Sequence, residues 1–246
     1  MDRVVLVTGA SQGIGRATAE SFWAAGCRVA ILARNGEALA SIAAPHGDRA
    51  LALPCDVTDE GQVEAAFAAV RQRWGRLDVV FNNAGAGLPG TSPADISLAD
   101  WRRVLSVNLD GAFLVAREAF RLMRDQDPQG GRIVNNGSIS AHVPRWGSAA
   151  YAASKHGVLG LTRALSLDGR AHNIACCQID IGNAASDMTA AMSRGVPQAD
   201  GSLAVEPTID VAHVARCVVQ MASLPLDVNM QFVTIMATKM PFVGRG

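Results

Sequence analysis

No window of this 246-residue chain reaches the roughly 18 unbroken apolar residues that a membrane-spanning helix needs. Near the start, only residues 4–7 are continuously apolar before Thr8 and Gly9 intervene, too short a run for the core of a secretion signal. A cytoplasmic location is expected, with no membrane partner. Charge is scarce and balanced: 22 basic and 22 acidic side chains cancel, and no run of Lys or Arg forms the stripe that nucleic acid requires. A small molecule is the expected partner instead. The five cysteines include the adjacent Cys176 and Cys177 and show no Cys-x-x-Cys or Cys/His spacing. They read as reduced, mostly buried small hydrophobes rather than disulfide or metal ligands. His142, His156, His172 and His213 likewise have no metal-binding spacing, so no metal is expected.

What is present describes one compact domain over residues 1–246: 49% apolar residues, 24 glycines and 18% charged residues. Apolar runs of about five residues alternate with helical stretches, the pattern of parallel strands covered on both faces. Strands are expected at 4–7, 28–32, 50–54, 77–81, 131–135 and 174–179, with helices at 14–25, 37–44, 60–74 and 150–168. Residues 98–124 suit one or two further helices. The expected fold class is therefore α/β: a Rossmann-type, doubly wound parallel sheet of about seven strands with helices on both faces, in three layers. Residues 186–207, with Gly195, Pro197, Gly201 and Pro207, are the most irregular stretch and a possible substrate lid.

The first strand runs into Thr8-Gly9-Ala10-Ser11-Gln12-Gly13-Ile14-Gly15 and then a helix, the context a nucleotide-binding glycine turn requires. Gly9 permits the turn, Gly13 lets the backbone approach a pyrophosphate, and Gly15 removes a side chain where helix meets strand. Unpaired amides at the helix start, from Ser11, Gln12 and Ile14 onward, then face the anion. A purely structural turn is the alternative. The second strand ends Ala33-Arg34-Asn35, so the acidic residue typical of NAD sites is missing and a guanidinium suited to a 2′-phosphate follows. NADP(H) is favoured and NAD(H) remains possible, since Gln12 adds no second cation and Arg34 alone is also consistent with a solvated side chain.

Tyr151 and Lys155 are four apart in an expected helix and so share a face. An ammonium beside a phenol favours the phenolate, bringing the group toward the range useful for acid–base catalysis. By itself such a pair is usually an ordinary surface pair. The context changes that reading: Ser138 lies thirteen residues before Tyr151, Asn82-Asn83-Ala84-Gly85 follows the fourth strand, and Asn108 falls in the next helix.

Together with the glycine turn, these residues resemble the short-chain dehydrogenase/reductase family, from residue 4 to about residue 189. The resemblance implies that Ser138 orients the substrate oxygen and Tyr151 exchanges the proton. Lys155 would bind the nicotinamide ribose and tune Tyr151, and Asn108 would hold a relay water. It assigns Asp56 and Val57 to the adenine ring and Asn82, Ala84 and Gly85 to the adenosine side. In isolation, Asp56 also reads as a helix N-terminal acid and Asn82 as a turn residue.

Two stretches depart from the family pattern. Ile181-Gly182-Asn183-Ala184 stands where a Pro-Gly pair is usual, and Ser186 replaces a threonine ahead of Met188 and Thr189. Gly182, the Ala184 backbone and Ser186 are still expected near the nicotinamide carboxamide. Residues 232–236 lack the usual Val-Asp-Gly-Gly sequel, which bears on oligomer geometry. The implied activity is oxidoreduction of a carbonyl or secondary alcohol by a homo-oligomer, a tetramer or dimer. The alternative is a catalytically silent nucleotide-binding regulator or scaffold of the same fold. Arg145 and Trp146 read either as pocket wall or as an exposed loop or subunit contact, and Met188 and Met192 either as an apolar lid or as core.

Overall fold

The period of two in β1 (Val4–Thr8) sorts its side chains between two cores. Val5 and Val7 pack with Phe22, Trp23 and Met221 on one face, whereas Val4 and Leu6 pack with Phe67, Leu122 and Met123 on the other. β6 (Ile174–Ile181) divides the same way, with Cys177 and Ile179 on the first face and Ile174 and Cys176 on the second. Strands buried on both faces need helices on both faces, and the computed structural model shows that arrangement. It describes residues 2–88, 90–185, 195–198 and 200–243.

The remaining strands of the main sheet are β2 (Arg28–Ala33), β3 (Ala50–Pro54), β4 (Val79–Asn82), β5 (Gly131–Asn136) and β9 (Phe232–Ile235). With β1 and β6 they form seven parallel strands in the order β3-β2-β1-β4-β5-β6-β9. The helices are α1 (Gly13–Ala24), α2 (Gly36–Ala43), α3 (Glu60–Trp74), α4 (Leu98–Leu105), α5 (Gly111–Asp125), α6 (Ala149–Asp168) and α7 (Val211–Ser223). A short antiparallel hairpin, β7 (Val196–Pro197) with β8 (Leu203–Ala204), lies outside the sheet.

Helix ends follow local chemistry. Asn35, Asp59 and Ser97 accept from the backbone amides of Ala38, Gln62 and Asp100, each such cap stabilising by about 1 kcal/mol. Gly75 stops α3 in the left-handed conformation at φ 76°. The expected strands and helices fall within about two residues of those observed. The 98–124 stretch divides at a single π-helical turn (Ser106–Asp110).

α7 was not anticipated, although Val214, Val218, Met221 and Ala222 have helical spacing and bury against α1. Of the stretch 186–207, residues 186–194 and 199, including Ser186, Met188, Thr189 and Met192, lie outside the described residues. The rest is not wholly irregular, because it contains the β7-β8 hairpin. Sheet order reverses between β1 and β4, the switch point at which open α/β sheets bind ligands at their carboxyl ends.

Candidate active site

The glycine turn joins β1 to α1 at this switch point. Gly9 has φ +64°, and a Cβ at Gly15 would lie 2.3 Å from the Gly9 carbonyl oxygen. Only hydrogen fits there, so α1 can begin directly against the turn. Thr8 fixes the opposite wall, its Oγ1 accepting from the amides of Asn83 and Ala84 at 2.9 Å each.

A cleft of about 500 Å³ opens above the turn. Gly9, Ser11, Gln12, Gly13, Ile14 and Gly15 form its floor. Arg34, Asp56 and Val57 line it from the ends of β2 and β3, and Ala84 and Gly85 from the end of β4. Tyr151, Lys155, Gly182 and Ala184 complete its lining. A cleft over a glycine-rich helix start, with the Arg34 guanidinium on its wall, fits a dinucleotide whose phosphates meet the helix amides.

Not every expected residue faces this cleft. Asn82 is 5% exposed and turned into the core, where Nδ2 donates to Ala112 O at 2.8 Å and Asn135 Oδ1 at 3.1 Å. Its neighbour Asn83 lines the cleft instead, donating through Nδ2 to Thr8 O at 2.9 Å. Sequence reading also missed Asn35, Cys55, Arg103, Val107 and Asn136 as cleft residues. Arg103 is one turn from the end of α4, where only the helix phase could have revealed its direction. Cys55 is nearly inaccessible, and burial pushes its thiol up to about 11, so it lines the cleft as a neutral group.

Lys155 is buried, and Nζ donates to Asn136 O at 2.7 Å while lying 5.6 Å from the centre of the Tyr151 ring. Asn108 occupies the π-helical turn with its side chain fully engaged: Oδ1 accepts from Ala86 N at 2.7 Å, and Nδ2 donates to Ala86 O at 2.9 Å and Ser154 Oγ at 3.0 Å. It therefore ties the loop after β4 to the helix residue preceding Lys155. Ser138 begins the short turn after β5, and its Oγ accepts from Ser140 N at 3.1 Å.

Ser138 faces a second, smaller cavity of about 190 Å³, also lined by Leu88, Ile139, Trp146, Val196 and Met240. Tyr151, Ile181 and Gly182 line both cavities. Among these three, only Tyr151 can ionise. It is also the one tyrosine of the chain. Arg145 and Trp146 both prove to be pocket wall, Trp146 remaining about half exposed.

Below Ser138 the sheet carries a buried polar chain that sequence reading did not find. Asp180, 2% exposed, accepts from Ser138 N at 3.0 Å and Gln178 Nε2 at 2.7 Å, and its other oxygen lies 2.9 Å from His142 Nε2. Thr162 Oγ1 lies 2.9 Å from Gln178 Oε1 and accepts from Asn135 Nδ2 at 2.9 Å. Satisfied networks of this kind rigidify what they support, here the backbone that carries Ser138. Four of the five cysteines are buried and all five are unpaired. Among the described residues, no three His, Cys, Asp or Glu side chains cluster as a metal site, and no helix is long and apolar enough to cross a membrane.

Comparison with known proteins agrees with this geometry. The family model for short chain dehydrogenases matches residues 3–196. The chain is 37% identical to a 3beta-hydroxysteroid dehydrogenase of Mediterraneibacter gnavus over 178 residues, 71% of this chain and 63% of that one. It is 30% identical to a serine 3-dehydrogenase of Agrobacterium fabrum over 247 residues, covering 99% and 97% respectively. Its fold superimposes with a TM-score of 0.86 on a 3-ketoacyl-(acyl-carrier-protein) reductase of Brucella melitensis complexed with NADH, at 24% identity over 96% of this chain and 98% of that one. The matched glycine turn, Ser138, Tyr151 and Lys155 all fall within the family model's span, and the chain belongs to the short-chain dehydrogenase family.

Proposed function

We propose that this protein is a nicotinamide-dependent oxidoreductase that interconverts a carbonyl and a secondary alcohol, with NADP(H) favoured over NAD(H). One observation carries the reading: among the described residues, Tyr151 alone presents an ionisable group to both the dinucleotide cleft and the smaller cavity containing Ser138. A proton donor is needed where cofactor and substrate meet, and nowhere else. The dehydrogenase and reductase names of the relatives support the same reaction class.

A nicotinamide held between Lys155, Gly182 and Ala184 would supply or receive the hydride. Ser138 holds the substrate oxygen by a hydrogen bond, and Tyr151 gives that oxygen a proton in reduction or takes one in oxidation. Lys155, anchored on Asn136 O, places its ammonium beside the phenol and holds the cofactor ribose. Asn108 keeps the loop after β4 and the start of α6 in register through its side chain, and the relay water that the resemblance assigns to it falls to its main chain. Asp56, Val57, Ala84 and Gly85 bound the adenosine end; Gly182 and Ala184 flank the nicotinamide end, with Ser186 assigned there by resemblance. Arg34 at the cleft wall, without an acid at the end of β2, supports NADP(H).

A homo-oligomer, a tetramer or dimer, belongs with this reading. Phe113 of α5 and Leu167 of α6 are exposed apolar side chains on the helices through which such subunits would pair, 47% and 60% exposed. A cytoplasmic location accompanies it. The test is reduced-nicotinamide absorbance with a panel of carbonyls and alcohols. Turnover of a neutral ketone with NADPH is expected. Cofactor binding with no turnover across the panel would instead favour a silent regulator.

A further inference from the structure

The smaller cavity has one cation among its described lining residues, Arg145, and the wall already answers it. Arg145 Nη2 donates to Asn183 Oδ1 at 2.6 Å and pairs with Glu206 Oε2. Asn183 Nδ2 donates to that same Glu206 oxygen at 2.9 Å, and Gln198 Nε2 reaches Glu206 Oε1 at 3.3 Å. Glu206 is 3% exposed. The clasp joins three segments that close the cavity: the loop after Ser138, the chain beyond β6, and the β7-β8 hairpin, whose Val196 and Pro197 are themselves cavity wall.

We infer that Glu206 sets the charge selectivity of the substrate pocket, by holding Arg145 in an internal ion pair so that the pocket takes compact, uncharged, largely apolar ketones or secondary alcohols and rejects carboxylates. This rests on the oxidoreductase reading. An arginine in a pocket wall ordinarily recruits carboxylates through paired donors. Here, a substrate carboxylate reaching Arg145 also meets the Glu206 carboxylate in a site sheltered from water, where like charges repel strongly. Displacing Glu206 from Arg145 would break a charge-assisted pair in a buried site, which is costly. Rejection by such an unfavourable charge is an ordinary route to specificity. The remaining described wall is apolar or small, with Leu88, Ile139, Trp146, Ile181 and Met240 around the Ser138 and Tyr151 hydroxyls. The volume of about 190 Å³ falls below the roughly 300 to 1,000 Å³ of pockets for drug-sized ligands and supports a compact group at the Ser138 and Tyr151 hydroxyls.

Matched probes test this directly: 4-oxopentanamide against 4-oxopentanoate, and 4-oxocyclohexanecarboxamide against its carboxylate. Their affinities are measured on the full chain carrying Tyr151→Phe and saturated with NADPH, and their turnover on the chain with Tyr151 intact. The amides are expected to bind at least tenfold more tightly than the carboxylates. Glu206→Gln should shrink or invert that ratio by tenfold or more, through the carboxylate's KM rather than kcat. Adding Arg145→Met to Glu206→Gln should restore the preference for amides. Equal or tighter carboxylate binding by the chain with its clasp intact overturns the inference, as does a ratio unmoved by Glu206→Gln, or no amide binding at millimolar concentration. Should Glu206→Gln fail to fold, the intact clasp and the double variant decide, and a carboxylate preference in either refutes it. Amide binding without turnover by either NADPH or NADH would defeat the oxidoreductase reading while leaving the charge selectivity intact.

Discussion

The two cavities that meet at Tyr151 are built by different means. The dinucleotide cleft draws six of its lining residues, three of them glycines, from the seven consecutive positions Gly9 to Gly15. The substrate cavity is walled by side chains drawn from loops far apart in the chain, with Arg145 bonded to partners 38 and 61 residues away. A ligand read through backbone amides imposes a conformational demand that few residues meet, whereas a ligand read through side chains can be served by many combinations. This contrast explains why family likeness reaches the cofactor more readily than the substrate.

The sharpest way to break the comparison is at the shared residue. Tyr151→Phe should reduce kcat by about a hundredfold to ten-thousandfold, the range contributed by one positioned acid or base, while leaving the NADPH dissociation constant within about twofold. Retained turnover would remove Tyr151 from the mechanism and leave the two cavities unconnected by chemistry.

On the cofactor side, Gly15→Ala should nearly abolish dinucleotide binding. The added Cβ would overlap the Gly9 carbonyl oxygen at 2.3 Å, and the atom it meets is backbone that cannot rotate away. Forcing that contact apart also costs about 1 to 3 kcal/mol of stability, readable as a lower Tm. Normal NADPH affinity in Gly15→Ala would show that the cleft tolerates side chains like its neighbour. A smaller effect is expected at the Arg34 side chain of the cleft wall. Arg34→Ala should weaken NADPH by roughly ten- to a hundredfold and NADH much less, as loss of one charge-assisted hydrogen bond implies. Equal losses for both cofactors would refute the 2′-phosphate assignment.

Legibility in the sequence follows the same division. The strands were readable because both faces are buried and their apolar runs are continuous, and α3 was placed to the residue because Asp59 and Gly75 mark its ends. α7 had a readable period but lay beyond the recognised motifs. Asn82 and Asn83 are adjacent and chemically identical, so only the alternation of β4 decides that the first points into the core and the second into the cleft. Asp180 and Glu206 gave no local signal at all. Each is a carboxylate near the end of an apolar strand or a loop, and its partners, Ser138 and His142 or Arg145 and Asn183, are assembled only by the fold.

The smallest effect concerns the cysteines, where the cleft and the core behind it should look alike. Cys55 lines the dinucleotide cleft and Cys177 lies inside the sheet, yet burial pushes both thiols up to about 11. At pH 7.5 each is then almost wholly the unreactive thiol. Cys176 is shifted upward by burial as well, and Cys217, only partly buried, less completely shielded. Iodoacetamide on the folded chain should therefore modify Cys217 first and leave Cys55, Cys176 and Cys177 unlabelled until denaturant is added, as peptide mass mapping would show. Rapid labelling of Cys55 in the folded chain, suppressed by NADPH, would mean that the cleft opens to solvent more deeply than its walls suggest. That outcome would add the Cys55 side chain to what the cofactor covers.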